Sequence, residues 1–275
     1  MPYDIIAIDI DGTLLTSDRN ISERTLRAVR DAELAGKNLV LCTGRSFNSG
    51  RATAEKLPAS TTLVFHSGAL ILDSLSGPIL RTINMKQQLA SELVTLIKHL
   101  GHDPLVYESV PASRYIWYEQ PRSKNDWRER YLISNKNNAR EVENLEHFLD
   151  NPAQIIVAGE ASAMNDLKIK LEDYKDNISI IFSLSTLADN YWCVEILPSN
   201  VTKANALAFL CKYYCTDSSK LISIGDNFND LDMIKFAGLG VAMGNAPKAV
   251  QKEANLIAPT NNCDGVAYII ENYLL

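Results

Sequence analysis

Apolar runs that stop abruptly on polar residues set the rhythm of this chain. The first is "IIAI" at residues 5 to 8, followed at once by "DIDGT". Short unbroken apolar runs of this kind suit strands covered on both faces. Residues 4 to 9 read as such a strand, and "SERTLRAVRDAELAG" as a helix capped by Ser22 and closed by Gly36. Leu26, Val29 and Leu34 fall roughly on one face of that helix. "KNLVLCTG" gives the next strand, "SFNSGRATAEKLP" a second helix and "TLVFHSG" a third strand. Strand alternating with helix predicts an α/β fold with a parallel, doubly wound, Rossmann-like sheet. Ligands of such sheets bind outside the C-terminal ends of the strands.

From about residue 85 the pattern changes. One long helical stretch, "MKQQLASELVTLIKHLG", precedes two short strands, "PLVYES" and "RYIWYEQ", which suit antiparallel pairing. A polar, helix-rich stretch near 122 to 150 follows, then strand "AQIIVAGE", helix "SAMNDLKIKLEDYK", and strands "ISIIFSL" and "YWCVEIL". After Pro198 the alternation returns: a helix over 202 to 214, strand "KLISIGD", helix "NDLDMIKFAG", strand "LGVAMG", strand "NLIAP" and a last helix. The expected organisation is an α/β core from residues 1–84 and 196–275, with an α+β module, 85–195, inserted in its middle.

Composition adds limits. Of the 275 residues, 46% are hydrophobic and 22% charged, which fits a folded soluble domain. No apolar run approaches the roughly 18 residues of a membrane helix, and no basic leader opens the chain. The cytoplasm is therefore the expected location, with no membrane partner. A net charge of -6 without a basic block argues against nucleic acid. The five cysteines contain no C-x-x-C pair, so neither a disulfide framework nor a zinc site is expected. Cys211 and Cys215 read as two thiols on one helix. "DWRERY", with Trp127, Arg128, Arg130 and Tyr131, could contact a sugar or phosphate, but a solvated helix face is the preferred reading, and the four histidines receive no role.

Chemistry gathers where core strands end. Asp9, Asp11 and Thr13 follow the first strand; Thr43, Gly44 and Arg45 follow the second; Lys203 opens the returning helix; Asp226, Asn229 and Asp230 follow "LISI". On a parallel sheet these stretches share one rim, and together they describe a phosphate site with a metal. A carboxylate cannot approach a phosphate dianion unaided. Mg²⁺ is commonly held by one or two carboxylates together with substrate phosphate. Asp9 and Asp226 are the expected carboxylate ligands, with an oxygen from the backbone near Asp11. The Thr43 hydroxyl, the Gly44 amide and the Lys203 ammonium would bind the other phosphoryl oxygens. A lysine in the first turn of a helix opposes the helix dipole, so Lys203 points to a nearby negative group. Asn229, Asp230 and Asp232 also suit the start of a helix, and Asp230 is left between that role and an outer position around the metal.

The set resembles the haloacid dehalogenase superfamily of phosphatases, and within it the Cof-type branch, whose cap is inserted between the second and third motifs. "DIDGTLL", "LCTGR", Lys203 in "PSNVTKANAL", and "GDNFNDLDM" with "GVAMGNA" match its motifs in order over nearly the whole chain. The resemblance implies Asp9 as nucleophile, Asp11 as general acid and base, Mg²⁺ as cofactor, and phosphate contacts from Thr43, Lys203 and Asn229. Residues 85–195 would be the cap that supplies specificity. One departure stands out: relatives usually carry Asn-Gly-Ala where this chain has Ser67 in "HSGAL". The expected activity is hydrolysis of a small phosphorylated metabolite, sugar phosphates included, through an aspartyl phosphate. Alternatives are a phosphosugar mutase, a receiver domain, whose acidic pocket lacks the second acid of Asp-x-Asp, and a phospho-ligand sensor without turnover. Oligomeric state is not readable from these features.

Overall fold

The computed structural model describes residues 3–148, 150–185, 187, 188 and 190–275. Strand β1 (Ile5–Ile8) is buried at all four positions. It is followed by α1 (Glu23–Leu34), β2 (Asn38–Cys42), α2 (Phe47–Ala54), β3 (Thr62–Phe65), β4 (Leu70–Leu72) and β5 (Ile79–Thr82). The insertion carries α3 (Gln87–His99), β6 (Leu105–Tyr107), β7 (Ile116–Tyr118), α4 (Asp126–Ser134), β8 (Ala139–Glu141), α5 (Leu145–Phe148), β9 (Gln154–Glu160), α6 (Ala161–Leu171), β10 (Ile178–Leu184) and β11 (Tyr191–Pro198). The chain then returns through α7 (Lys203–Tyr213), β12 (Leu221–Gly225), α8 (Leu231–Phe236), β13 (Leu239–Ala242), α9 (Lys248–Gln251), β14 (Leu256–Ile257) and α10 (Gly265–Ile269).

The core sheet runs β14-β13-β12-β1-β2-β3-β4-β5. Its pairs from β14 to β3 are parallel, as the βαβ pattern requires, whereas β4 returns antiparallel to β3. Ile8 is level with both Ile224 and Leu41, so the segments after β1, β2 and β12 leave the sheet side by side. Strand order runs outward in opposite directions from the β1–β12 pair, which makes this the switch point where such folds bind ligands. Ile5, Ala7, Val40, Val64 and Ile71 pack on one face against Ala206, Leu207 and Leu210 of α7 and Met233 of α8. On α1, the Ser22 side chain accepts from the Thr25 amide and so caps the helix as the sequence indicates.

The structure divides into Met1–Arg81 with Thr202–Leu275, and Thr82–Val201. The second unit has its own sheet, β10-β11-β9-β6-β7-β8, and its own core, in which Val106, Ile155, Val157, Val194 and Ile196 meet Leu93 and Ile97 of α3 and Leu167 and Leu171 of α6. Residues 196–198 belong to this sheet: Pro198 ends β11 opposite Ile178, where the proline in the sequence reads as a break.

Two readings need correction. Trp127 and Arg128 of α4 are buried rather than solvated: the Arg128 guanidinium donates to the Glu119 carbonyl and lies over the Tyr118 ring, a hydrogen bond and a cation–π contact that offset its burial. Cys211 and Cys215 do not share a helix face, because α7 ends at Tyr213 and Cys215 turns into the left-handed region with φ of 55°. Among the described residues, no helix is long and apolar enough to cross a membrane.

Candidate active site

The rim is built by close approach of backbone to carboxylate. The Asp9 amide still donates to the Ile224 carbonyl at 3.0 Å, so its side chain leaves β1 at a fixed height. Gly12 then turns the chain with φ of 75°, and a Cβ there would stand 2.3 Å from Oδ2 of Asp226. A Cβ on Gly225 would meet the Asp230 Cβ at 2.3 Å. Only glycine meets both demands at residue 12, a left-handed turn and no side chain. The Thr13 hydroxyl donates to Oδ1 of Asp226 at 3.2 Å, which joins the first and last motifs directly.

Lys203 is fully buried at the first position of α7, and the expectation of a nearby anion is met twice over. Its Nζ donates to Oδ1 of Asp9 and to Oδ1 of Asp230, each at 2.6 Å. Burial alone would lower the lysine, but Asp230 and Asp9 outweigh it and hold the ammonium well above the usual lysine value. Asp9, Asp226 and Asp230 bring carboxylate oxygens within 4.8 Å of one another. Burial pushes the Asp9 carboxyl up to about 7, against the pull of Lys203 and with a further push from Asp230 and Asp11. Asp226 is pushed up to about 8, first by burial, then by Asp230 and Asp9. A single ammonium facing three carboxylates leaves excess negative charge, and a cation or protons must balance it.

The donor set fits a hard divalent cation. It offers carboxylate oxygens, and the Oδ1 of Asn229 is buried without a hydrogen-bond partner. Oxygen donors of this kind suit Mg²⁺, whereas no thiol or imidazole belongs to the cluster. Asp230, left by the sequence between two roles, serves the start of the helix through Oδ2, which accepts the amides of Asp226 at 2.9 Å and Asn227 at 3.1 Å, while its Oδ1 receives Lys203.

The remaining residues arrange themselves around this centre. Thr43 is buried; its amide donates to the Val64 carbonyl and its hydroxyl accepts from the Arg45 amide at 3.1 Å, which bends the chain around Gly44. The Asp11 side chain stands apart from the three-carboxylate group. Arg45 holds it in a two-pronged pair, Nε to Oδ2 at 2.7 Å and Nη2 to Oδ1 at 2.5 Å. Arg45 thus acquires a role that its place in "CTGR" did not disclose. Its spacing two residues after Thr43 was the available signal. Ser67 has φ of 52°, and its amide donates to the Thr43 carbonyl at 3.0 Å. Serine here holds a left-handed conformation that asparagine tolerates better.

Known proteins resemble this chain over nearly its whole length. A family model described as haloacid dehalogenase-like hydrolase matches residues 6–270. A Haemophilus influenzae protein is 31% identical over 288 residues, covering 98% of this chain and 98% of its own. The Bacillus subtilis protein named 5-amino-6-(5-phospho-D-ribitylamino)uracil phosphatase YitU is 26% identical over 279 residues, with 99% of this chain and 97% of that one covered. Among solved structures, a haloacid dehalogenase-like hydrolase from Bacteroides thetaiotaomicron is 28% identical with a TM-score of 0.79, and 98% of each chain is covered.

Proposed function

This chain belongs to the haloacid dehalogenase-like hydrolases, and we propose that it is a Mg²⁺-dependent phosphatase of small phosphorylated metabolites, sugar phosphates among them. The observation that carries the reading is the cluster of Asp9, Asp226 and Asp230 around the buried Lys203 ammonium at the switch point of the sheet. Similarity to a relative whose name gives it a phosphoribityl substrate supports a small phosphate monoester.

Asp9 and Asp226 would hold the ion, with the backbone near Asp11, and Asn229 would contact the phosphoryl group. When bound, it supplies positive charge to the carboxylates and to the phosphoryl oxygens. Every other task falls to the chain. Lys203 orients Asp9 through one oxygen and leaves the other to attack phosphorus. The P–O bond to the leaving group breaks as the Asp9–phosphorus bond forms. Asp11 then delivers a proton to the departing oxygen. In the second half it takes a proton from the water that cleaves the aspartyl phosphate, and Asp9 is restored. Arg45 holds both oxygens of Asp11 at rest, so Asp11 must leave that pair to move the proton, and the Thr43 hydroxyl with the Gly44 amide would donate to phosphoryl oxygens.

Phosphate release from a panel of phosphate monoesters, in excess chelator and after Mg²⁺ is restored, tests the reading. Release that depends on Mg²⁺ is expected. Phosphoryl groups that move to a second hydroxyl without free phosphate would favour the mutase, and tight binding without turnover the sensor.

A further inference from the structure

A lysine at the first position of a helix depends on its backbone for aim, and two residues fix that backbone. The Thr202 hydroxyl accepts from the Asn205 amide at 3.1 Å, the usual local cap. The Ala204 amide instead donates to a carboxylate from another element, Oδ2 of Asp232 in the first turn of α8, at 2.9 Å. The other oxygen of Asp232 accepts from the Met233 amide at 2.8 Å. Met233 is fully buried, and its carbonyl accepts from the buried Ser223 hydroxyl of β12 at 2.8 Å. The first turn of α7 is therefore tied to the sheet through Asp232, Met233 and Ser223, while Asp230, two residues earlier, takes the lysine's Nζ. The Lys203 side chain and the amide of the next residue, Ala204, are gripped by the same short segment. Asp232 is not among the three clustered carboxylates.

We propose that Asp232 is a positioning residue that aims the Lys203 ammonium by clamping the first turn of α7 onto the start of α8. The mechanism rests on the phosphatase reading, but the clamp itself does not. Nζ lies at the end of a four-carbon stem, so a small rotation of the first turn carries it away from Asp9 and from the phosphoryl group. A misplacement of about 1 Å can cost about 10²-fold in rate. The clamp uses both carboxylate oxygens as acceptors, so Asp232→Asn, with one acceptor and one amide donor, should keep only one of its two contacts and Asp232→Ala should lose both.

Two measurements on the full-length protein test this. In steady-state phosphate release, Asp232→Ala is expected to lower kcat by about tenfold or more with a smaller change in KM, Asp232→Asn to fall between Asp232→Ala and wild type, and Thr202→Ala, which removes the other cap of the same turn, to retain most of kcat. In covalent labelling of amines read by peptide mass spectrometry, Lys203 should resist modification in wild type and Thr202→Ala, become reactive in Asp232→Ala, and fall between the two in Asp232→Asn. The labelling does not require turnover, so absence of phosphatase activity in the wild type would refute the functional reading and leave the clamp to be judged by labelling. Wild-type kcat and wild-type protection in Asp232→Ala would overturn the inference. So would equal damage from Thr202→Ala, which would assign the effect to general loosening of the helix.

Discussion

Replacing Lys203 by Met keeps most of the buried side-chain volume and removes the only ammonium, among the described residues, bonded to the acidic cluster. Lys203 is fully buried and bonded at 2.6 Å to both Asp9 and Asp230. Breaking a buried ion pair by removing one partner costs about 3–5 kcal/mol, because the other partner stays behind uncompensated. At about 2–4 °C per kcal/mol for a domain of this size, metal-free Lys203→Met should melt roughly 6–20 °C below wild type. Saturating Mg²⁺ should narrow that gap, since a cation among the same carboxylates replaces part of the lost charge. Acidification should narrow it too, because a protonated Asp9 no longer needs the ammonium. For activity, loss of one preorganised cationic donor predicts a fall in kcat of about 10²–10³. Thermal melts with and without Mg²⁺, across pH, and phosphate-release kinetics on the same preparations supply the readings. A variant that melts with wild type in chelator and turns over at the wild-type rate would refute the assignment of Lys203 as the counter-ion of Asp9.

The acidic cluster also dictates a pH dependence. Asp9 and Asp226 have folded values near 7 and 8, raised chiefly by burial. Each therefore binds its proton more tightly in the folded than in the unfolded chain, so its stabilising effect is complete below the unfolded value near 4 and is lost as pH rises through 7 to 8. The metal-free melting temperature should decline from about pH 5 to about pH 8, and the rise produced by Mg²⁺ should grow over the same interval; a flat profile in chelator would contradict this. Gly12→Ala, with a Cβ that would sit 2.3 Å from Asp226 at φ of 75°, should raise the Mg²⁺ concentration for half-maximal activity about tenfold or more. Titration with Mg²⁺ checks it, and an unchanged midpoint would mean Asp226 is not displaced.

What the sequence disclosed was local. The switch from apolar run to acid marks Asp9 and Asp226 because a buried strand and the loop after it have opposite solvent requirements. Lys203 could be singled out because its charge opposes the helix dipole. The partnerships were hidden, since they join residues far apart in the chain. Asp11 meets Arg45 across 34 residues and Ala204 meets Asp232 across 28, and neither spacing has a periodicity to betray it. Asp232 read only as a first-turn acid, which it also is. Strands β4 and β5 escaped notice because they are short and separated by Ser, Gly and Pro. Arg128 read as solvated because nothing local shows that a carbonyl and a tyrosine ring await it.

The central claim is that Asp9 carries the phosphoryl group and Asp11 moves the protons. Asp11→Asn retains the nucleophile and the backbone carbonyl but loses the group that activates water. With an activated aryl phosphate, whose leaving group departs without an acid, the first step should still proceed. Rapid-quench kinetics with intact-mass and peptide mass spectrometry on Asp11→Asn in Mg²⁺ is therefore the most direct measurement. The expected result is a burst of aryl alcohol equal to the enzyme present, followed by a stall with one phosphoryl group on Asp9. Steady turnover at the native rate, or a phosphoryl group on any other residue, would contradict the account.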